Sequence, residues 1–323
     1  MSGGNPVNSA PYVLTFGETM ALMRADQPGP LAHASTLTLG IGGSESNVAI
    51  GLQRLGVQAV WCGRVGDDSL GQLVEREIRA EGVQTRTVLD EAAPTGLMIK
   101  ERRTPSAQRV NYYRTGSAGS RISPSDVDEE LISSAGLLHL TGITPALSES
   151  ARATIFEAIA IAKTAKVPVS FDLNYRAKLW SADEAREVYR EIIPIADIVF
   201  AGDEEAAIAV GAESDPEDLA HRLAKLGPRQ SIIKLGAAGA IALIDGQLYR
   251  QPPVLVEAVD TVGAGDAFVA GYLAEFMNHA SPPERLQTAA ATGAFACLVP
   301  GDWEGFPRRD ELPLLRTNEP VHR

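Results

Sequence analysis

Short runs of strand-forming apolar residues alternate with segments of helical periodicity along most of the chain, and this exchange restricts the fold more than any other feature. "YVLTFGETMALM", from Tyr12, reads as a strand with an extended continuation. "SNVAIGLQRLG" then turns helical, "QAVWCGRVG" returns to strand and "LGQLVEREIRAEG" to helix. The exchange resumes at "LLHLTG", "ATIFEAIAIAKTAK", "VPVSFDLN" and "IADIVFAG". An α/β layer architecture accounts for it, because helices cover both apolar faces of a parallel sheet. "SIIKLG" adds a strand, and "GAIALIDGQLYRQPP" reads as a hairpin turning at its Asp-Gly dipeptide. "DAFVAGYLAEFM" and "LQTAAATGAFACLV" read as closely packed helices rich in small residues.

Between Pro94 and Gly119 the pattern changes. "TGLMIKERR" and "QRVNYYRTGSAGS" alternate β-formers with polar residues, as a sheet with one solvent-facing or ligand-facing side does. A small β lid is expected at about 94–119, with an earlier contribution from about 19–38. The lid and the layers together are expected to form one domain over 12–312, with a flexible tail at 1–11 and a carboxyl-terminal tail at 313–323. A sheet of this kind has edges to protect, which makes a homo-oligomer the expected assembly.

Composition narrows the function. A formal net charge of -12 opposes a nonspecific binder of nucleic-acid backbones, although a small anion can still be held in a locally positive pocket. Cys62 and Cys297 are the only cysteines, far apart, so neither a disulfide framework nor a thiolate metal cluster is indicated. No apolar run has membrane-spanning length and the opening "MSGGNPVNSA" lacks a signal-peptide pattern, so a cytoplasmic protein without membrane partners is expected. The five histidines make no HExxH or other compact ligand set.

Two glycine-rich stretches carry the chemistry. In "DTVGAGDAF", Asp260 to Phe268, glycine permits a tight bend, and a following helix would point free amide N–H groups at an anion. Asp266 would stand at the helix start, placed either to take a proton from an attacking hydroxyl in phosphoryl transfer or to serve only as a helix cap. In "GIGGSESNVAIGLQRLG", Gly42 and Gly43 let the backbone lie against a hydroxylated ligand, and Asn47 offers hydrogen bonds from the helix start; a plain strand-to-helix connection fits equally. The phosphate-loop pattern GxxxxGK[ST], the dinucleotide fingerprint and the protein-kinase motifs are all absent.

Taken in order, "GGSESNVAIGLQRLG", "GRVGDDSLG" and "DTVGAGDAF" resemble the ribokinase-like, or PfkB, carbohydrate kinases, over about Tyr12 to Pro307. The resemblance implies a ribokinase-like three-layer αβα domain with a small β-sheet lid, and ATP and Mg2+ as cofactors. It places the anion hole on Gly263, Ala264 and Gly265 and the catalytic base on Asp266. Within the family, "YYRTGSAGS", "SFDLNYRAKLW" and "GDWEGFP" resemble the kinases of 2-keto-3-deoxygluconate, which phosphorylate its terminal hydroxyl. That implies a small acidic sugar held by Gly42, Gly43, Asn47, Tyr112, Arg114, Asn174 and Arg176. A guanidinium can bind the sugar's carboxylate with directional, charge-assisted bonds that a neutral sugar does not offer. The arginines fit equally the role of partners to surface acids. A fructokinase or other neutral-sugar kinase, and a noncatalytic sugar-binding or regulatory protein, stand as alternatives.

Two positions depart from the family pattern. Met98 stands where sugar-acid kinases often have tyrosine, and Gly202, in "AGDEEA", stands where asparagine is common. Glu205 is expected to organise hydrated Mg2+ or simply to begin a helix. In "IKLGAAGA", Lys234, Gly236 and Gly239 resemble a nucleotide-side loop, with Lys234 alternatively a charge at a strand end. A K+ or other monovalent-cation site near Asp260 is also implied by the resemblance.

Overall fold

The computed structural model describes residues 11–104, 108–212 and 214–316; the expected tails fall largely outside them. Residues 313–316 belong to a continuous short-helical turn, Arg309–Arg316. The strands are β1 (Val13–Phe16), β2 (Met20–Ala25), β3 (Leu37–Gly42), β4 (Ala59–Gly66), β5 (Gln84–Asp90), β6 (Leu97–Arg102), β7 (Gln108–Tyr113), β8 (Leu137–Thr141), β9 (Val169–Asp172), β10 (Ile198–Gly202), β11 (Gln230–Lys234), β12 (Ala240–Ile244) and β13 (Gln247–Gln251). The helices are α1 (Ser44–Arg54), α2 (Ser69–Ala80), α3 (Glu129–Ser133), α4 (Glu149–Ala165), α5 (Ala182–Ile192), α6 (Asp203–Val210), α7 (Pro216–Lys225), α8 (Ala264–Met277) and α9 (Pro282–Ala296).

Nine strands form the main sheet in the order β13-β12-β11-β10-β9-β8-β1-β4-β5. Pairing is parallel from β11 through β5, while β12 and β13 add an antiparallel edge. The hairpin turns at Asp245 and Gly246, both at positive φ (49° and 82°), as a tight turn matched to strand twist requires. Successive side chains of one strand enter opposite faces: Ile198 and Phe200 pack with α1, α2, α8 and α9, whereas Val199 and Ala201 pack with α4 to α7. That two-sided burial is why the central strands read as unbroken apolar runs. The fold is therefore an α/β three-layer sandwich. The edge strand β5, "QTRTVLD", carries too little apolar alternation to be read from sequence.

After β1 the chain leaves the main sheet through Gly17, Glu18 and Thr19 and enters a separate four-stranded sheet, ordered β3-β2-β6-β7. Register pairs Leu22 with Gly40 and Met98, and Met98 with Tyr112, so these four share one face. That face looks onto the carboxyl ends of the parallel strands, where open α/β sheets bind ligands. Among the described residues, no helix is long and apolar enough to cross a membrane.

Candidate active site

The start of α8 has the geometry its sequence requires. Gly263 caps the helix at φ 78°, and a Cβ there would lie 1.8 Å from the carbonyl oxygen of Asp302, so only glycine fits. The first helical bond nearby runs from the Ala267 N–H to the Gly263 carbonyl, 2.8 Å. The amides of Gly265 and Asp266 precede it in the first turn, where helix amides lack intrahelical acceptors and attract anions.

Asp266, 8% exposed, is held by two donors from α1: Ser44 Oγ to Oδ1 at 2.7 Å and Asn47 Nδ2 to Oδ2 at 2.8 Å. Asn174 Nδ2 donates in turn to Ser44 Oγ at 2.7 Å. Two elements remote in sequence thus fix the carboxylate carried by α8 in a single orientation, with the Asn47 Oδ1 left as a buried acceptor without a partner among the described residues. Orientation of this kind is what a general base needs before its substrate arrives.

Asp266 lines a cavity of about 460 Å³ whose wall also includes Gly42, Gly43, Asn47, Tyr112, Arg114, Asn174, Arg176, Glu205, Lys234, Gly263 and Gly265. The two arginines differ sharply. Arg114 is buried and bonded to Glu18 through Nε at 2.7 Å and a terminal nitrogen at 2.6 Å, while Ser117 donates to the other Glu18 oxygen. Arg176 is exposed and makes no ion pair among the described residues; its Nη1 reaches only the Tyr175 carbonyl at 3.4 Å. The ring of Tyr112 lies between two cations, 5.8 Å from the Arg114 guanidinium carbon and 5.4 Å from Lys178 Nζ. Met98 is buried with Met20 and Leu22, with half-buried Val110 against them, packing the small sheet while lining the same cavity.

A second cavity of about 390 Å³ adjoins the first, sharing Thr261, Lys234 and Gly265. Gly236, Gly239 and Ala264 line it, along with Phe268 and the small residues Ala290, Gly293 and Ala294 of α9. Lys234 is not a surface charge: its Nζ bonds both oxygens of buried Asp172, at 2.8 and 2.7 Å. Burial disfavours its ammonium, but Asp172, Glu205 and Asp266 outweigh that and hold its pKa above the ordinary lysine value. Burial pushes Asp172 upward, with the ammonium limiting the rise.

Glu205 begins α6. Its Oε2 accepts from the Gly202 N–H at 2.6 Å and its Oε1 from the Tyr175 N–H at 3.0 Å, so it caps the helix and pins the loop bearing Arg176 while facing the cavity. A Cβ at Gly202 would meet Glu205 only at 3.5 Å, so glycine there answers no steric demand.

Several residues of the site escape a reading of motifs: Glu18, Ser44, Lys100, Asp172 and Asp302 line the cavities or hold residues that do. Glu45 lies just behind, 1% exposed, its Oε1 accepting from Thr141 and Thr144 at 2.7 and 2.8 Å and its Oε2 without a partner among the described residues. Burial pushes its carboxyl up to about 7. The signal available in sequence is an ionisable residue inside an apolar run, as in "TFGETMALM" and "VPVSFDLN".

Comparison with known proteins agrees with this architecture. The pfkB family carbohydrate kinase profile matches residues 10–309. The chain is 35% identical to the 2-dehydro-3-deoxygluconokinase of Bacillus subtilis (strain 168), covering 96% of this chain and 97% of that protein. It is 34% identical to the enzyme of the same name from Thermoproteus tenax, covering 97% and 96% respectively. Identity to the 2-dehydro-3-deoxygalactonokinase of Haloferax volcanii is 33%, over 90% of this chain and 92% of that one. Among solved structures, a PfkB protein from Polaromonas sp. JS666 superposes with TM-score 0.85 at 35% identity, covering 94% of this chain and 99% of the other. A sugar kinase from Pyrococcus horikoshii in complex with ATP gives 0.81 at 26%, covering 94% and 97%.

Proposed function

The chain belongs to the pfkB family of carbohydrate kinases and is an ATP-dependent enzyme of that family, and from this premise we propose that it phosphorylates the terminal C6 hydroxyl of 2-keto-3-deoxygluconate. The products are 2-keto-3-deoxy-6-phosphogluconate and ADP. The observation that carries the substrate is Arg176, an exposed guanidinium without an ion-pair partner among the described residues, on the wall of the cavity that holds Asp266. Arg114 has its charge answered by Glu18, so Arg176 is the cation available to a sugar carboxylate, in a bond that is strong only if the ligand is charged. The two 2-dehydro-3-deoxygluconokinases at 35% and 34% identity support the same class.

Residues of the second cavity fit a nucleotide: apolar walls for a base, and Lys234 with the first turn of α8 for phosphates at the shared boundary. No cluster of three or more acidic, histidine or cysteine ligands able to hold a metal occurs among the described residues, so Glu205 would act on hydrated Mg2+ at most indirectly. When bound, Mg-ATP supplies the phosphoryl group and neutralises part of its charge. Asp266 orients the sugar hydroxyl and accepts its proton, the amides of 263–266 stabilise charge on the transferring group, and Arg176 fixes the opposite end of the sugar. Asn47 and Asn174 hold Asp266 and Ser44 here and lie where they can also meet hydroxyl groups of the substrate. A monovalent cation is assigned to the neighbourhood of Asp260, whose Oδ1 accepts from the Val262 N–H at 3.1 Å; an assay with and without K+ tests it. Self-association is expected at the small sheet, where the edge strand β3 exposes Leu39 to 50%, and light scattering tests that.

The deciding experiment measures ADP release with Mg-ATP and 2-keto-3-deoxygluconate, its galacto epimer, fructose and ribose. Preference for a keto-deoxy acid is expected. Preference for a neutral sugar would overturn the Arg176 assignment and leave the kinase intact.

A further inference from the structure

Lys100 of β6 and Asp302, 202 residues apart, form a buried ion pair where the small sheet meets the body; they are 2% and 6% exposed. Both line the sugar-side cavity. Asp302 also touches the glycine loop, since its carbonyl oxygen occupies the space that a Cβ at Gly263 would need. Its Oδ2 lies beside Gly42, 2.4 Å from where a Cβ there would stand.

The loop carrying Asp302 is itself held rigidly. Glu304 Oε2 accepts from the N–H groups of Asp302 and Trp303 at 2.9 and 3.1 Å. Trp303 Nε1 donates to the Ile41 carbonyl at 3.2 Å, and Arg54 Nη1 to the Phe306 carbonyl at 2.6 Å. Lys100 thus joins β6 to a loop fixed at several points, whose Asp302 carbonyl abuts Gly263.

We propose that Lys100 is a positioning residue for phosphoryl transfer, tying the small sheet to the glycine loop through Asp302 so that seating of the sheet over the sugar aligns Gly263 to Asp266. This rests on the reading of the larger cavity as the sugar site. The Asp302 carboxylate faces Lys100 from β6, Glu304 from its own loop with Arg24 of β2 beyond it, and Asp266 from α8. Burial raises the Asp302 pKa, Lys100 opposes the rise, and Glu304 and Asp266 add to it. With Lys100 removed the tie is absent at every pH. Asp302, no longer paired, then takes a proton at a higher pH, so the acid limb of the activity profile, set on this proposal by the ionised Asp302, moves upward in pH.

The test compares wild type, Lys100→Met and Lys100→Arg over pH, using whichever sugar the wild type phosphorylates best, so that a wrong substrate assignment leaves it intact. Hydrogen exchange across 260–268, with and without that sugar, is the second readout. Lys100→Met, which leaves the Asp302 charge buried without its partner and unties the small sheet from the loop, is expected to lower kcat about tenfold or more. Its acid limb should move to higher pH and sugar-dependent protection of 260–268 should be lost, while Lys100→Arg restores most of both. A Lys100→Met enzyme with lowered Tm but wild-type pH profile and loop protection overturns the proposal. If that variant does not fold, Asp302→Asn, which leaves Lys100 an acceptor, replaces it: a changed acid limb together with loss of loop protection at saturating sugar supports the proposal, and retention of both overturns it.

Discussion

The two adjoining cavities are built from opposite materials. The proposed sugar side is walled by charged and polar groups already engaged with one another: Arg114 with Glu18, Lys100 with Asp302, Lys234 with Asp172. The nucleotide side is walled mainly by Gly, Ala, Pro, Val and Phe, with Lys234 at the shared boundary. A polyol acid is told from its relatives by directional bonds, and the groups making them must be held in place before it binds. Buried charge is tolerable only when paired, hence the ion pairs of Arg114, Lys100 and Lys234 along that wall. A flat base is recognised by shape, which small apolar residues provide with no such network. Selectivity should therefore reside on the sugar side, and single substitutions there should cost far more.

The largest expected effect is at Asp266. Asp266→Asn keeps an acceptor for Ser44 but no base, and kcat should fall by about 10²–10⁴ with the thermal midpoint little changed. Steady-state kinetics alongside calorimetry check this, and near-wild-type kcat would remove Asp266 from its role. Arg176→Ala comes next: kcat/KM for the keto-deoxy acid should fall about 10- to 100-fold, the worth of a hydrogen bond to a charged group, while KM for ATP and turnover of any neutral sugar hold steady. A change in ATP affinity instead would break the division between the cavities.

How much of this was legible in sequence depended on distance along the chain. The glycine loop, its aspartate and the turn at Asp245-Gly246 are local, because a positive φ or a helix start leaves its mark within a few residues. The ion pairs are not. Glu18 and Arg114 are 96 residues apart, Lys234 and Asp172 are 62 and Lys100 and Asp302 are 202, and no local pattern can pair them. Arginines 114 and 176 look alike as sequence, and only the fold shows that one is neutralised while the other is available. Motifs located the site, and tertiary pairing decided which of its charges can still act.

Glu45 gives a smaller, pH-dependent effect behind the sugar-side wall. Its carboxyl sits at about 7 because burial disfavours the charged form, so the folded state keeps a proton that the unfolded chain has given up. The stabilisation is full below the ordinary glutamate range and is lost as pH rises toward and through 7. Gln in its place offers the same oxygen to Thr141 and Thr144 and cannot ionise. Relative to Glu45→Gln, wild type should lose at most about 1.4 kcal/mol per pH unit between pH 5 and 7. Urea unfolding of both proteins at several pH values measures it, and parallel pH curves would show that Glu45 ionises freely.

The smallest effect belongs to the nucleotide side. Leu255 is 85% exposed yet lines that cavity, on a segment between β13 and α8 that is neither strand nor helix. An apolar side chain so placed gains cover only when a base lies against it. Leu255→Ala then removes part of one apolar contact, about 1 kcal/mol, which raises KM for ATP about fivefold. No charge is stranded, so kcat at saturating ATP and KM for the sugar should stay where they are. If kcat fell as well, this segment would be sensing the transition state rather than the base, and the contrast between a wall of shape and a wall of charge would have to be redrawn at Lys234.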